Sequence, residues 1–132
     1  MGIREEDIDR RKMDEYTKFV KENQIPLNEI IYAMELSPEL TMREVEFLRK
    51  WREDIKAEWP LIKEAFLRGK ISSKWEMFGY VFVDMTLYRW FGEGIHSLDD
   101  LREFEESERE RLKRIAEASK KPVRIMDRNR TS

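Results

Sequence analysis

Along most of this chain apolar residues recur three and four positions apart, and the runs are closed by proline or glycine. That period puts one side chain per helical turn on a common face, so the chain is committed to helices that bury those faces on one another. Met13, Tyr16, Phe19 and Val20 mark one such stripe, within a segment from Arg4 to Glu22. Leu27, Ile30, Ile31 and Met34 mark the next, opened by Pro26 and closed by Pro38. Proline loses no hydrogen bond in a first turn, and it pushes the residue before it out of helical space. A third segment begins at Thr41, where Glu44 completes a capping box, and carries Val45, Leu48, Ile55, Trp59, Ile62 and Phe66 as far as Gly69. Pro60 lies inside it, so this helix either kinks there or ends and restarts.

Ser73 and Glu76 predict a second capping box, ahead of the run WEMFGYVFVDMTLYRWF. That run is apolar nearly all round, which suits a helix in the middle of a bundle. Its stretch Tyr80–Val83 would also suit a strand, but the serine cap favours helix. A fifth segment starts at Ser97, an N-cap with Asp99 and Asp100 near the positive end of the helix dipole. Its face is Leu98, Leu101, Phe104, Leu112 and Ile115. Short connections imply antiparallel neighbours. The predicted fold is all-α: an antiparallel four-helix bundle over residues 13–119, with a charged N-terminal helical arm, residues 1–12, and a basic C-terminal tail, residues 120–132. The arm, Arg4–Lys12, has almost no apolar stripe and cannot bury a face by itself.

Charged residues make up 41% of the chain, against the ~25% of an average globular protein. Such density suits solvated helices laced with ion pairs, and a hot habitat where those pairs lose less to desolvation. Yet 26 cations nearly cancel 28 anions, so a nucleic-acid site has to be a local stripe. The absence of cysteine excludes disulfides and thiolate metal sites. The start, MGIREEDIDRRK, lacks the apolar stretch of a signal peptide. The most apolar segment, Trp75–Phe91, carries Glu76, Asp84 and Arg89, whereas a spanning helix wants ~20 nearly uncharged residues. A protein with no transmembrane segment, made and used inside a cell, is expected.

Catalytic parts are scarce. No glycine-rich phosphate loop occurs. His96 is the single histidine, and a metal site needs several convergent ligands, so it reads as a loop residue at a helix end. Asp84 sits in the most apolar segment, where a carboxylate must find a partner or protonate. Arg89, five positions on, is poorly placed within one helix, so a cation from another helix is expected to pair with it. The acids of the fifth segment alternate with Arg109, Arg111, Lys113 and Arg114 at ion-pairing spacing. No catalytic residue, metal ligand, cofactor or small-molecule substrate is expected, and the chain reads as a binding or assembly protein.

Taken as one helix, the third segment lines Arg49, Arg52, Lys56 and Lys63 along one edge of its apolar face. Arg4, Arg11 and Lys18 repeat every seven residues in the first, with Arg10 and Lys21 on a neighbouring row. The tail adds Lys120, Lys121, Arg124, Arg128 and Arg130. Such side chains can lay their alkyl stems on the core edge and pair with nearby glutamates. Alternatively, arm, third segment and tail grip the backbone of double-stranded DNA. The set would be Arg4, Arg10, Arg11, Lys12, Lys18, Arg49, Arg52, Lys56, Lys63, Lys120, Lys121, Arg124 and Arg128, in sequence-independent, salt-sensitive contacts. The interleaved acids oppose this. Pro26–Leu36, the turn Ser37–Leu40 and the helix from Thr41 also have the proportions of a helix-turn-helix, with Thr41, Met42 and Arg43 entering the major groove, although the turn lacks the usual glycine. The aromatics Trp51, Trp59, Trp75, Trp90, Tyr80 and Tyr88 exceed what a bundle this small can hide. An exposed remainder would mark a protein–protein surface, for self-assembly or for an adaptor's partner.

The arm Arg4–Lys12, the stretch PLNEIIYAMELSPELTMREVEFLRKW, a kinked helix around Trp59–Pro60 and the aromatic helix after it resemble in layout the coat proteins of filamentous archaeal viruses of the lipothrixvirus and rudivirus type. The resemblance is one of architecture and covers most of the chain. It implies a helical arm on a compact bundle that assembles with copies of itself, or with a related coat protein, into a filament around double-stranded DNA. It also implies a location in the virion or the host cytoplasm. The balanced net charge departs from that pattern, since a DNA-coating protein is expected to be basic.

Overall fold

The computed structural model describes residues 5–120, with side chains from Arg10 to Lys120, and all of its regular structure is helical. The helices are α1 (Glu5–Glu22), α2 (Gln24–Met34), α3 (Met42–Glu53), α4 (Trp59–Ile71), α5 (Lys74–Phe78), α6 (Tyr80–Gly92) and α7 (Leu98–Ala118), and no strand occurs among the described residues. Arg4 and the tail cations Lys121, Arg124, Arg128 and Arg130 lie outside them. The chain divides into two compact units, Met1–Leu101 and Arg102–Ser132.

Leu48 and Trp51 of α3, Leu61, Ile62 and Phe66 of α4, and Val83 and Leu87 of α6 are among the most deeply buried side chains of the first unit. Each contributes roughly 1.5–3 kcal/mol by leaving water. Helix α1 packs on α3, α2 on α4, and α6 on both α3 and α4. In the second unit α7 is laced by local pairs, Arg111 with Glu108 at 2.9 Å and Arg114 with Glu110 at 3.7 Å.

Helix starts follow the caps in two of three cases. The Glu44 N–H donates to Thr41 Oγ1 (3.2 Å) and the Thr41 N–H to Glu44 Oε1 (2.9 Å), closing the box at α3. At α7 the Asp100 N–H donates to Ser97 Oγ (3.1 Å), while the His96 and Ser97 N–H groups donate to the Asp100 carboxylate. The box expected at Ser73 does not form: Ser73 is left-handed (φ 62°) and its side chain caps nothing. The chain turns there at the end of α4, so the neighbouring hydroxyl of Ser72 donates backwards to the Arg68 carbonyl (2.7 Å). A left-handed residue just past a helix end is how such corners are made.

The third segment is broken, not kinked. Helix α3 stops at Glu53, and α4 begins at Trp59 with Pro60 in its first turn. Between them Lys56 takes φ 54°, the Ala57 N–H donates to the Trp51 carbonyl and Arg52 Nη1 donates to the Ala57 carbonyl, both at 2.9 Å. The fourth segment is divided too, by Gly79 at φ 55°, ψ −132°, a conformation that only glycine adopts readily. At Gly69 a side chain would be crowded: an added Cβ would lie 3.0 Å from the Phe82 ring, which would have to give way.

Two outcomes follow from the caps. Thr41→Ala should cost about 1 kcal/mol in urea denaturation, the usual worth of an N-cap side chain. The hydrogen bond from the His96 N–H, helped by those from Ser97, holds the Asp100 carboxyl below its ordinary range. A carboxyl lowered by folding adds stability that is fully present above its unfolded pKa and is lost as the pH falls through the folded one. Stability measured on acidification should therefore decline less steeply in Asp100→Asn than in the natural chain.

Candidate functional site

The cations separate into those turned inward and those left in water. Arg49 is held by Glu15 of α1 (3.4 Å) and Glu53 (3.6 Å), and its guanidinium lies 5.4 Å from the centre of the Tyr16 ring. The Tyr16 hydroxyl donates to Glu46 (2.6 Å), and that bond raises its pKa. Arg52, besides bonding Ala57, lies over the Trp59 indole at 5.5 Å. Lys18 sits 3.9 Å from Glu22. Because the helix is broken, Arg49 and Arg52 end one helix, Lys56 occupies the connection and Lys63 belongs to α4, so these four do not form one helix edge.

Arg10, Arg11, Lys12, Lys56 and Lys120 are exposed and Lys63 is half-buried. On α1 the outward side carries Arg11 and Lys18 in one row and Arg10 and Lys21 in the next, with Asp14 between them. The helix-turn-helix pairing expected of α2 and α3 has to be weighed against their packing, since α2 lies on α4 whereas α3 lies on α1 and α6.

Asp84 receives its cation from another helix, as the sequence led us to expect. Lys50 Nζ of α3 is 2.9 Å from Asp84 Oδ1, and the Trp51 indole N–H donates to the same oxygen at 2.8 Å. The Lys50 ammonium also stands 5.1 Å from the Phe47 ring centre and 5.0 Å from that of Tyr88. Trp51 stacks on Tyr80 at 6.0 Å, and Phe66 meets both edge-on. Burial, and then the Glu44 carboxylate, push the Tyr80 hydroxyl well above its ordinary range. His96 lies 3.1 Å from the Ile55 carbonyl through Nδ1. A carbonyl only accepts, so the proton of that bond sits on Nδ1. The Glu58 N–H donates to the carbonyl of His96 (2.9 Å), so this residue ties the α3–α4 connection to the start of α7.

Helix α6 departs most from expectation. It is not wrapped on all sides: Val83, Thr86, Leu87 and Trp90 are buried, while Val81, Met85 and Tyr88 on the opposite side are 40%, 67% and 40% exposed. Gly92 continues that outer row, and a side chain added there meets nothing within 4 Å. Phe78 of α5, 49% exposed, joins its other end, where it and Val81 border a hollow of about 340 Å³ with Phe47 and Arg43. The exposed remainder is thus not tryptophan, since Trp51 and Trp90 are buried and Trp59 and Trp75 half-buried. The spacing 81, 85, 88, 92 is itself a helical stripe, and a run apolar all round is what carries two stripes back to back.

Among the described residues no group of three or more His, Cys, Asp or Glu side chains is placed to hold a metal ion, and no helix is long and apolar enough to cross a membrane. Comparison of the chain with protein-family models, with curated proteins and with solved structures finds no match.

The Asp84 contacts make a stability prediction. Trp51 is fully buried, so Asp84→Ala strands its N–H and should cost about 1–3 kcal/mol. Asp84→Asn keeps an acceptor for the indole and should cost less. Equilibrium unfolding followed by tryptophan fluorescence checks both.

Proposed function

We propose that this chain is a structural subunit that associates with copies of itself and lays part of its cationic surface on double-stranded DNA, in the manner of the filamentous archaeal virus coat proteins it resembles. The observation that carries this is the outward row of α6, an uninterrupted apolar stripe on a small and otherwise highly charged molecule. Apolar surface gathered in one place marks an interaction site, because covering it removes it from water. The architecture taken here is four antiparallel helices in a bundle, with the arm at one end of the chain and the basic tail at the other, and the place of work is the virion or the host cytoplasm.

DNA contact is supported by Arg10, Arg11 and Lys12, exposed on consecutive positions of α1, with Lys56, Lys63 and Lys120 as further candidates. Arg49 and Arg52 contribute less, being engaged with Glu15, Glu53, Ala57 and Trp59. Each phosphate neutralised releases counterions and steepens the salt dependence of binding by ~0.9 in log–log slope. Acids such as Asp14 beside the row keep the number of contacts small. A second role, an adaptor that seats one protein partner on the same α6 row, is favoured by the row's mixture of methionine and aromatic side chains.

Electron microscopy of the chain mixed with linear double-stranded DNA should show filaments, and mobility shifts should weaken with salt. Replacing Arg10, Arg11 and Lys12 together by alanine should reduce the salt slope by about 2–3. A chain that neither forms filaments nor shifts DNA at low salt would be the adaptor instead.

A further inference from the structure

We propose that the hollow between α1 and the start of α3 binds a single-chain fatty acid, its alkyl chain lying along α1 and its carboxylate at Lys21. The site shares no residue with the α6 row or with the cations assigned to DNA, so it goes beyond the assembly role and stands without it.

The apolar stripe of α1 is only partly used by the fold. Phe19 turns to the Trp59 indole, 6.1 Å away, whereas Met13 stays 50% exposed and Val20 half-buried on the same face. The facing wall comes from the chain between α2 and α3, which leaves α2 through the left-handed Glu35 (φ 55°) and presents Pro38 and Leu40. Tyr16 and Val45, both buried, make the floor, and Met42 of α3 borders the mouth. The space is about 330 Å³. Pockets that hold small molecules begin at ~300 Å³ and are mostly apolar, with a few polar groups that fix orientation.

The walls decide what fits. Apart from Thr17 and Lys21 the lining is apolar or aromatic, and it contains no acid. The Thr17 hydroxyl donates to the Met13 carbonyl (2.8 Å), so it has no proton to offer a ligand. Lys21 is the charged residue of the lining, and no acid pairs with it among the described residues. An apolar trough with one unpaired cation at its end complements an amphiphilic anion. A peptide strand would bring N–H and C=O groups that these walls cannot pair. Glu46 sets the direction: it accepts the Tyr16 hydroxyl (2.6 Å) and repels a second carboxylate there, which leaves the head group to Lys21. From Met13 to Lys21 is eight residues, about 12 Å of helix, which is the length of an extended decanoate chain. The thioethers of Met13 and Met42 adapt readily to a chain without fixed shape.

Methionine-methyl NMR of the full-length chain, titrated with decanoate below its micelle concentration, tests the site. The Met13 and Met42 signals should shift saturably while those of Met77 and Met85 stay in place. Octanoate should bind about fifteenfold more weakly than decanoate, ~4-fold for each methylene withdrawn from the hollow. Lys21→Gln should weaken decanoate about two- to fivefold and leave decanol unchanged. Thr17→Trp, at an exposed position on the rim, should weaken both ligands roughly tenfold by filling the hollow, with an unchanged helical circular dichroism spectrum. Equal shifts at Met77 and Met85 would mean that decanoate coats apolar surface at large, and would overturn the site. Decanoate binding that Lys21→Gln leaves unaltered overturns the head-group assignment. The Met13 and Met42 shifts appearing with vesicles of anionic phospholipid but not with decanoate would overturn the fatty acid as ligand.

Discussion

The first unit is organised around one side chain, Trp51. Its ring is fully buried, stacked on Tyr80 and edge-on to Phe66, so it joins α3, α4 and α6 in one contact. A buried indole carries a donor that has to be satisfied, and an oxygen of Asp84 satisfies it. A carboxylate at such a position needs a counter-ion in turn, and Lys50, one residue before Trp51, supplies it. The aromatic packing thus draws in an acid, the acid draws in a lysine, and the lysine's ammonium settles between the Phe47 and Tyr88 rings. No buried side-chain nitrogen or oxygen is left without a partner among the described residues.

This chain of necessities explains what could be read beforehand. An acid in an apolar run demands a cation from elsewhere, and that much was legible at Asp84 without knowing that Lys50 would answer. The cap at Thr41 was legible because side chain and backbone lie within four residues of each other. The same pattern at Ser73 was misleading, because an N-cap needs extended backbone and the corner after α4 required a left-handed residue there. Pro60 announced an interruption, but proline is equally at home in a kink and in a first turn, so the break with Lys56 at its apex was not decided locally. Once the helix is broken, a wheel drawn through both halves has no meaning, and the row Arg49, Arg52, Lys56, Lys63 dissolves with it.

The molecule spends its charge and its apolar surface in an order opposite to the simplest expectation. Arginines beside the core, Arg49 and Arg52, turn to rings and acids within the fold. The most apolar run, by contrast, gives half its circumference to solvent. Composition cannot distinguish a helix enclosed by its own chain from one whose second face awaits another molecule, since both look apolar all round. Only the number and placement of neighbouring helices decide between them, and α6, packed on α3, α4 and α5, keeps Val81, Met85 and Tyr88 exposed.

Gly69 shows the same dependence on placement. Helix α4 meets the Phe82 ring of α6 there at a point that carries no side chain. A methyl group added at that point would crowd the Phe82 ring, which would have to give way by a few tenths of an ångström. A substitution at this buried position of α4 is therefore felt on α6, through the ring that faces it, rather than along α4 itself.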